Sequence, residues 1–254
     1  MVTKVKTAGE IQAMRESGRM LATVLQFLRT QLTPGMTTKD LADLAAQELQ
    51  RLGGKPSFLG YQGFPDVICI SVNDEVVHGI PRSDKVINAG DIVGMDFGVT
   101  YNGMITDSAI SVIAGGKARE SRHAKLVQQT ERAMMAGIET LHDKVRVGDI
   151  GAAVQAVLDK GHYGIVRDLV GHGVGHALHE DPNIPNYGRA NTGPWLQAGM
   201  TIAIEPMATL GRDGVFIGED NWTIYTEDGS WAAHFEHTVL ITEDSFEILT
   251  TINQ

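Results

Sequence analysis

Residues 92–113, IVGMDFGVTYNGMITDSAISVI, decide the fold. Two runs rich in apolar and β-branched residues meet at Asn102-Gly103. Asn-Gly between such runs is the strongest short hairpin signal, because both turn positions need a positive φ. With that pair in the turn, Tyr101 faces Met104 and Asp107 lies opposite Gly98. Strand side chains alternate with period two, so Asp96, two residues from Gly98, shares a face with Asp107 as its diagonal neighbour. The rest of the hairpin is built from Val93, Met95, Phe97, Ile105 and Ile110. Two carboxylates on such a sheet repel, and burying either without a partner is costly. A shared cation resolves the conflict; a solvated strand end is the plain alternative. Gly98 is expected to leave room beside the pair for something other than a side chain.

Outward from the hairpin, helices and strands alternate twice. Thr7-Ala8-Gly9-Glu10 reads as a capping box opening a helix over 8–30, with Ile11, Met14, Leu21, Leu25 and Leu28 on its apolar stripe. Pro34-Gly35 ends that segment. Thr37 caps a second helix carrying Leu41, Leu44, Leu49 and Leu52, which stops at Gly53-Gly54. Residues 67–72 are strand-like; further helices are expected over 120–142 and 149–162. Strands then follow over 201–205, 222–226 and 234–241, around an Asp228-Gly229 turn. The pattern predicts an α+β fold, one domain over 1–254 with an internal repeat and antiparallel sheet.

Composition narrows the function. The chain has 254 residues, 43% hydrophobic and 20% charged, with 31 acids against 21 bases for a net charge of −10. An acidic surface repels phosphate backbones, so nucleic acid is not an expected partner. A single cysteine, Cys69, permits neither an internal disulfide nor a thiolate zinc cage, which suits a reducing, cytoplasmic compartment. No signal peptide or membrane span is read in the opening residues, and no membrane partner is expected.

Two more acids repeat the problem posed by Asp96 and Asp107. Glu205 ends the run Thr201-Ile202-Ala203-Ile204, before Pro206, and Glu236 lies in Phe235-Glu236-His237-Thr238-Val239-Leu240. A carboxylate inside an apolar strand is uncommon unless paired or metal-bound. Oxygen-rich sites of this kind hold hard or borderline divalent cations. Histidines cluster at Gly171–Glu180, where His172, His176 and His179 sit among glycines. Any of the three could be a ligand, and each alone could be structural. His176 occupies the third glycine position of a dinucleotide loop, and no His-Glu-x-x-His occurs, so neither machinery fits. His78, just after an apolar strand, is a lone candidate, and His234 and His237 read as structural. There is no Gly-x-Ser-x-Gly elbow or Walker-type loop. Four acids and at least one histidine suit a two-metal hydrolase.

Together these segments resemble the type I methionine aminopeptidases of the pita-bread metallopeptidases. The resemblance covers essentially the whole chain. It rests on Cys69-Ile70-Ser71-Val72-Asn73, Val77-His78-Gly79-Ile80-Pro81, Met95-Asp96-Phe97-Gly98, Thr106-Asp107-Ser108-Ala109, Gly171–Glu180, Ile204-Glu205-Pro206-Met207 and Phe235-Glu236-His237-Thr238. It implies two pseudo-symmetric halves cupping two divalent cations (Co, Mn, Fe or Zn). Asp96, Asp107, His172, Glu205 and Glu236 would be the ligands. Glu205 would also shuttle the proton of an activated water, His179 would stabilise the oxyanion, and His78 would contact the peptide beside the scissile bond. Phe58, Tyr61, Phe64, Cys69, Leu178 and Trp222 would line a methionine pocket, reshaped by the bulk of Phe58. His176 is given no role. The implied activity is removal of initiator methionine from nascent chains when the second residue is small. The enzyme would be a monomer of the short bacterial type, in transient contact with the ribosome. The rivals are a prolidase or aminopeptidase P relative, which usually carries an extra N-terminal domain, and a pita-bread binding module that has lost catalysis.

Overall fold

The computed structural model describes residues 4–252. Thr7 closes a full capping box with Glu10 and starts α1 (Ala8–Gln31); Thr37 does the same with Asp40 for α2 (Thr38–Leu52), which Gly53 ends in a left-handed conformation. Short strands β1 (Lys55–Pro56), β2 (Cys69–Val72) and β3 (Glu75–Val77) lead to the expected hairpin, β4 (Ile92–Tyr101) and β5 (Met104–Ile113). Asn102 and Gly103 both adopt positive φ, 47° and 78°, and the register runs from Tyr101↔Met104 to Ile92↔Ile113, with Gly98 opposite Asp107.

The next helices are shifted from their expected bounds. α3 (Ser121–Ile138) stops four residues early, where the Thr140 hydroxyl donates to the Gly137 carbonyl at 2.7 Å and turns the chain. α4 (Val147–Lys160) starts two residues early, because Asp149 accepts from the Arg146 amide at 3.0 Å and so caps one turn upstream. β6 (Gly164–Ile165), β7 (Gly171–Gly173), β8 (Glu180–Ile184), β9 (Thr201–Ile204), β10 (Met207–Thr209), β11 (Val215–Ile217), β12 (Ile224–Thr226), β13 (Ala232–His234), β14 (Glu236–Ile241) and β15 (Phe246–Ile248) complete the chain.

One antiparallel sheet dominates, ordered β1-β4-β5-β14-β9-β7-β8, with β2 added to β4 and β15 to β14. Each half is backed by its own helix pair. Leu21, Leu25 and Leu41 from α1 and α2 pack on Ile70, Val93 and Phe97, while Leu126, Met134, Ile150 and Val154 from α3 and α4 pack on Ile202, Ile204 and Val239. Helix faces bury against one face of the sheet and leave the other to be lined by loops and short strands. The turn at Asp228-Gly229 departs from expectation. Its flanking strands do not pair with each other: β12 joins β11 and β3, and β13 joins β10. Only Gly229 has a positive φ there, so the two-residue hairpin geometry that would hold the strands in register is missing. Among the described residues, no helix is long and apolar enough to cross a membrane.

Candidate metal centre

The sheet register places the candidate acids in two adjacent rows. Directly paired residues of antiparallel strands point to the same face. Cys69 pairs Asp96, Asp96 pairs Ala109, and Ala109 pairs Glu236; the pairing of His237 with Ile204 brings Glu205 alongside Glu236. One step along, Gly98 pairs Asp107, Thr238 pairs Ala203, and the pairing of Gly173 with Ile202 puts His172 at the end of that second row. Reciprocal bonds lock the row: the Asp107 amide donates to Thr238 Oγ1 at 2.9 Å, and the Thr238 hydroxyl donates back to the Asp107 carbonyl at 2.8 Å.

These side chains are buried but under-satisfied. Asp107, His172 and Glu236 are 4%, 5% and 2% exposed. Asp96 Oδ1, Asp107 Oδ1 and Glu236 Oε1 are buried with no hydrogen-bond partner among the described residues. Burial first, then the neighbouring carboxylates, pushes Asp96, Glu205 and Glu236 well above the usual carboxylate range; burial raises Asp107 to about 7. The imidazoles are driven the other way. Burial lowers His172 to about 3 and His78 to about 4, so both rings are neutral at pH 7. His172 Nδ1 must donate to the Gly173 carbonyl, 2.9 Å away, which leaves a lone pair on Nε2, 3.3 Å from Glu205 Oε1. A bare nitrogen facing an oxygen anion is repulsive unless a cation or a proton sits between them. Asp107, His172 and Glu236 offer ligand atoms that lie within 4.8 Å of one another. Orphaned oxygens, raised acid pKa values and a fixed imidazole tautomer make this donor set fit a divalent cation.

A cavity of about 150 Å³ opens beside the rows, its lining part aromatic and apolar and part carboxylate and imidazole. Every site residue expected from the sequence lines it: the five candidate ligands, His78, His179, Phe58, Tyr61, Phe64, Cys69, Leu178 and Trp222. Its floor is an aromatic corner, with Phe64 edge-on to Phe58 and to Trp222. Gly98 corrects the expectation made of it. A Cβ there would stand 2.6 Å from the Phe58 ring, so the glycine makes room for a side chain after all, the bulky one of Phe58. Cys69 stays a thiol, because burial and the adjacent carboxylates raise its pKa.

The loop carrying His179 is held from the chain's other end. Glu180 accepts from the His176 and Ala177 amides at 2.7 and 3.0 Å and from Lys6 Nζ at 3.0 Å, in a fully buried ion pair. His176 reaches away to Glu10 at 2.7 Å, outside the cavity lining. His179 Nδ1 is 2.8 Å from the Tyr61 hydroxyl, and its ring packs edge-on to His172. His78, held at a positive φ of 58°, packs edge-on to Trp222. His237 turns to the opposite face, with Nδ1 2.8 Å from Thr250 Oγ1, a structural contact as expected. His234, also expected to be structural, lies with Nε2 3.7 Å from Glu205 Oε2, and its place two residues before Glu236 puts it on that residue's face under plain alternation. Gln62 also joins the cavity lining and has no signal in the sequence.

Residues 12–243 match metallopeptidase family M24. Methionine aminopeptidase 1 of Bacillus subtilis is 43% identical over 97% of this chain and 98% of its own. A crystal structure of methionine aminopeptidase from Thermotoga maritima superposes with a TM-score of 0.96 at 43% identity, covering 98% of this chain and 100% of that one. Prolidase from Pyrococcus furiosus shares the fold at a TM-score of 0.78 and 22% identity, but the match covers only 66% of that longer chain. The α+β architecture is thus the pita-bread fold, and the chain belongs to metallopeptidase family M24, among its methionine aminopeptidases.

Proposed function

We propose that this chain removes N-terminal methionine from polypeptides whose second residue is small, and that it does so with two divalent cations. The observation that carries the reading is the pair of carboxylate rows, closed by His172 and opening onto a cavity with an aromatic corner. Asp96, Asp107, His172, Glu205 and Glu236 would hold the cations. When bound, these would neutralise the buried carboxylates, polarise the scissile carbonyl and make a water nucleophilic at neutral pH.

The chain's own residues supply the rest. Glu205, whose carboxyl burial makes more basic than usual, carries a proton from the attacking water to the leaving amine. With the Tyr61 hydroxyl donating to its Nδ1, the neutral ring of His179 keeps its proton on Nε2 and donates it to the carbonyl oxygen as charge develops. His78, neutral and braced by Trp222, contacts the peptide beside the scissile bond. Phe58, Tyr61, Phe64, Cys69, Leu178 and Trp222 receive the unbranched thioether, a side chain that adapts to irregular apolar space. The ring of Phe58 packs over Gly98 within that lining. A lone, buried, thiol-form cysteine supports a cytoplasmic setting, where nascent chains present their N-termini.

The test is hydrolysis of Met-Ala-Ser, Met-Leu-Ser and Ala-Pro by metal-stripped protein titrated with Mn(II) or Co(II). Metal-dependent release of methionine from Met-Ala-Ser alone is expected. Cleavage of Ala-Pro instead would move the chain to the proline-peptidase branch. Two bound cations with no cleavage would leave a binding module.

A further inference from the structure

His234 is a buried, chemically capable group that the mechanism above leaves unused. It is 3% exposed, and its Nε2 has no hydrogen-bond partner among the described residues. Its backbone is pinned on both sides. The His234 amide donates to Ser111 Oγ at 2.9 Å, the Ser111 hydroxyl donates to the His234 carbonyl at 2.8 Å, and the residue pairs with Met207 on β10. The ring is therefore aimed by two strands. It faces the other oxygen of the Glu205 carboxylate from the one His172 faces: His172 Nε2 is 3.3 Å from Oε1, and His234 Nε2 is 3.7 Å from Oε2.

The longer separation is informative. At 3.7 Å the pair is beyond a hydrogen bond. Two ligand atoms each about 2.0–2.2 Å from one ion stand about 3–3.5 Å apart at tetrahedral or octahedral angles, so a shift of a few tenths of an ångström suits both to a shared cation. Glu205, His234 and Glu236 offer atoms that all lie within 4.8 Å of one another, as do Asp107, His172 and Glu236, and Glu236 belongs to both groups.

We propose that His234 is a sixth protein ligand, adding a second imidazole to the dinuclear centre at the other oxygen of Glu205, the carboxylate that His172 also faces. This rests on the dinuclear reading above and adds to it a second nitrogen donor. Two imidazoles in the centre shift its preference towards borderline metals such as Zn(II), Co(II) and Fe(II), and away from Mg(II), which favours all-oxygen surroundings.

The experiment is X-ray absorption on the full-length wild-type protein carrying two equivalents of Zn(II), with calorimetric titration of the same metal. Outer-shell imidazole scattering should correspond to about one ring per cation. His179→Gln should leave that count unchanged, which excludes the neighbouring His179 as its source. His234→Gln should halve it and weaken metal binding at least tenfold, roughly the effect expected for a lost metal-site interaction. If that variant does not fold, the wild-type and His179→Gln counts still decide. Two bound cations with about half a ring each would overturn the assignment of His234 while leaving the dinuclear site intact. Failure of the wild-type protein to bind two cations would overturn both.

Discussion

Two turns in this molecule carry similar dipeptides and do different work. At Asn102-Gly103 both residues take positive φ, and ten residue pairs follow in unbroken register. At Asp228-Gly229 only the glycine does. The Asp228 carboxylate instead accepts from the Arg212 and Ser230 amides at 2.8 and 3.0 Å, and the strands on either side leave for separate sheets. The first turn fixes Asp96 against Asp107 by local geometry alone. Nothing local brings His172 or Glu205 to Glu236 and His234; strands far apart in the chain must pair before they meet. The centre is thus half a hairpin property and half a tertiary one.

The most severe way to break the comparison is to delete a carboxylate from each half. Asp107→Ala and Glu236→Ala should each lower turnover by about 10³-fold or more and reduce bound metal, since on the proposed reading both would serve the same cations. Near-wild-type turnover in either folded variant would remove that half from the chemistry. Next in size is the tertiary clamp. Lys6→Ala takes the cation from a buried pair and leaves Glu180 held by the His176 and Ala177 amides, and breaking a buried pair in this way costs about 3–5 kcal/mol. A loss under about 1 kcal/mol in urea unfolding would show that the His176–Glu180 loop holds itself.

His179, on that clamped loop, gives the third test. His179→Ala should lower turnover about 10²-fold with metal content retained, as for loss of one oxyanion donor. Parallel loss of metal would make it a ligand instead. Smaller still are the turns themselves. Gly103→Ala and Gly229→Ala each force a Cβ into the left-handed region, at φ 78° and 69°, for about 1 kcal/mol apiece. Asp228→Ala should cost a similar amount by freeing the two amides its side chain caps. A neutral result there would deny that the aspartate shapes the second turn.

The least effect is a pH dependence. Asp107 is raised to about 7 from 3.8, so in the metal-free protein its contribution is full below about pH 4 and lost as pH rises through 7. His172 and His78, lowered to about 3 and 4, act oppositely: their contribution is full above about 6.5 and falls away with acid. Comparing melting with and without Mn(II) isolates the carboxylate share, because a cation must displace the Asp107 proton. The gain in Tm on adding Mn(II) should be a few degrees larger at pH 8 than at pH 6. An equal gain at both would mean Asp107 is already ionised at pH 6.

Much of the molecule is legible in the sequence alone. The capping boxes at Thr7 and Thr37, the hairpin register, and the shared face of Asp96 and Asp107 all follow from spacing within a dozen residues, where backbone dihedrals and side-chain alternation are set by near neighbours. Glu205 and Glu236 announced themselves as acids in apolar strands, and the resemblance to a known family separated His172 from His176 and His179. What only the tertiary structure decided depends on which strands meet. The partners of β12 and β13, the Phe58 ring over Gly98, the Lys6–Glu180 clamp and the approach of His234 to Glu205 each join residues far apart in the chain. The dipeptides that flank such contacts look the same whether or not the contact forms. Packing and the demand to satisfy buried charge choose between the outcomes, and those act only once the sheet has closed around the site.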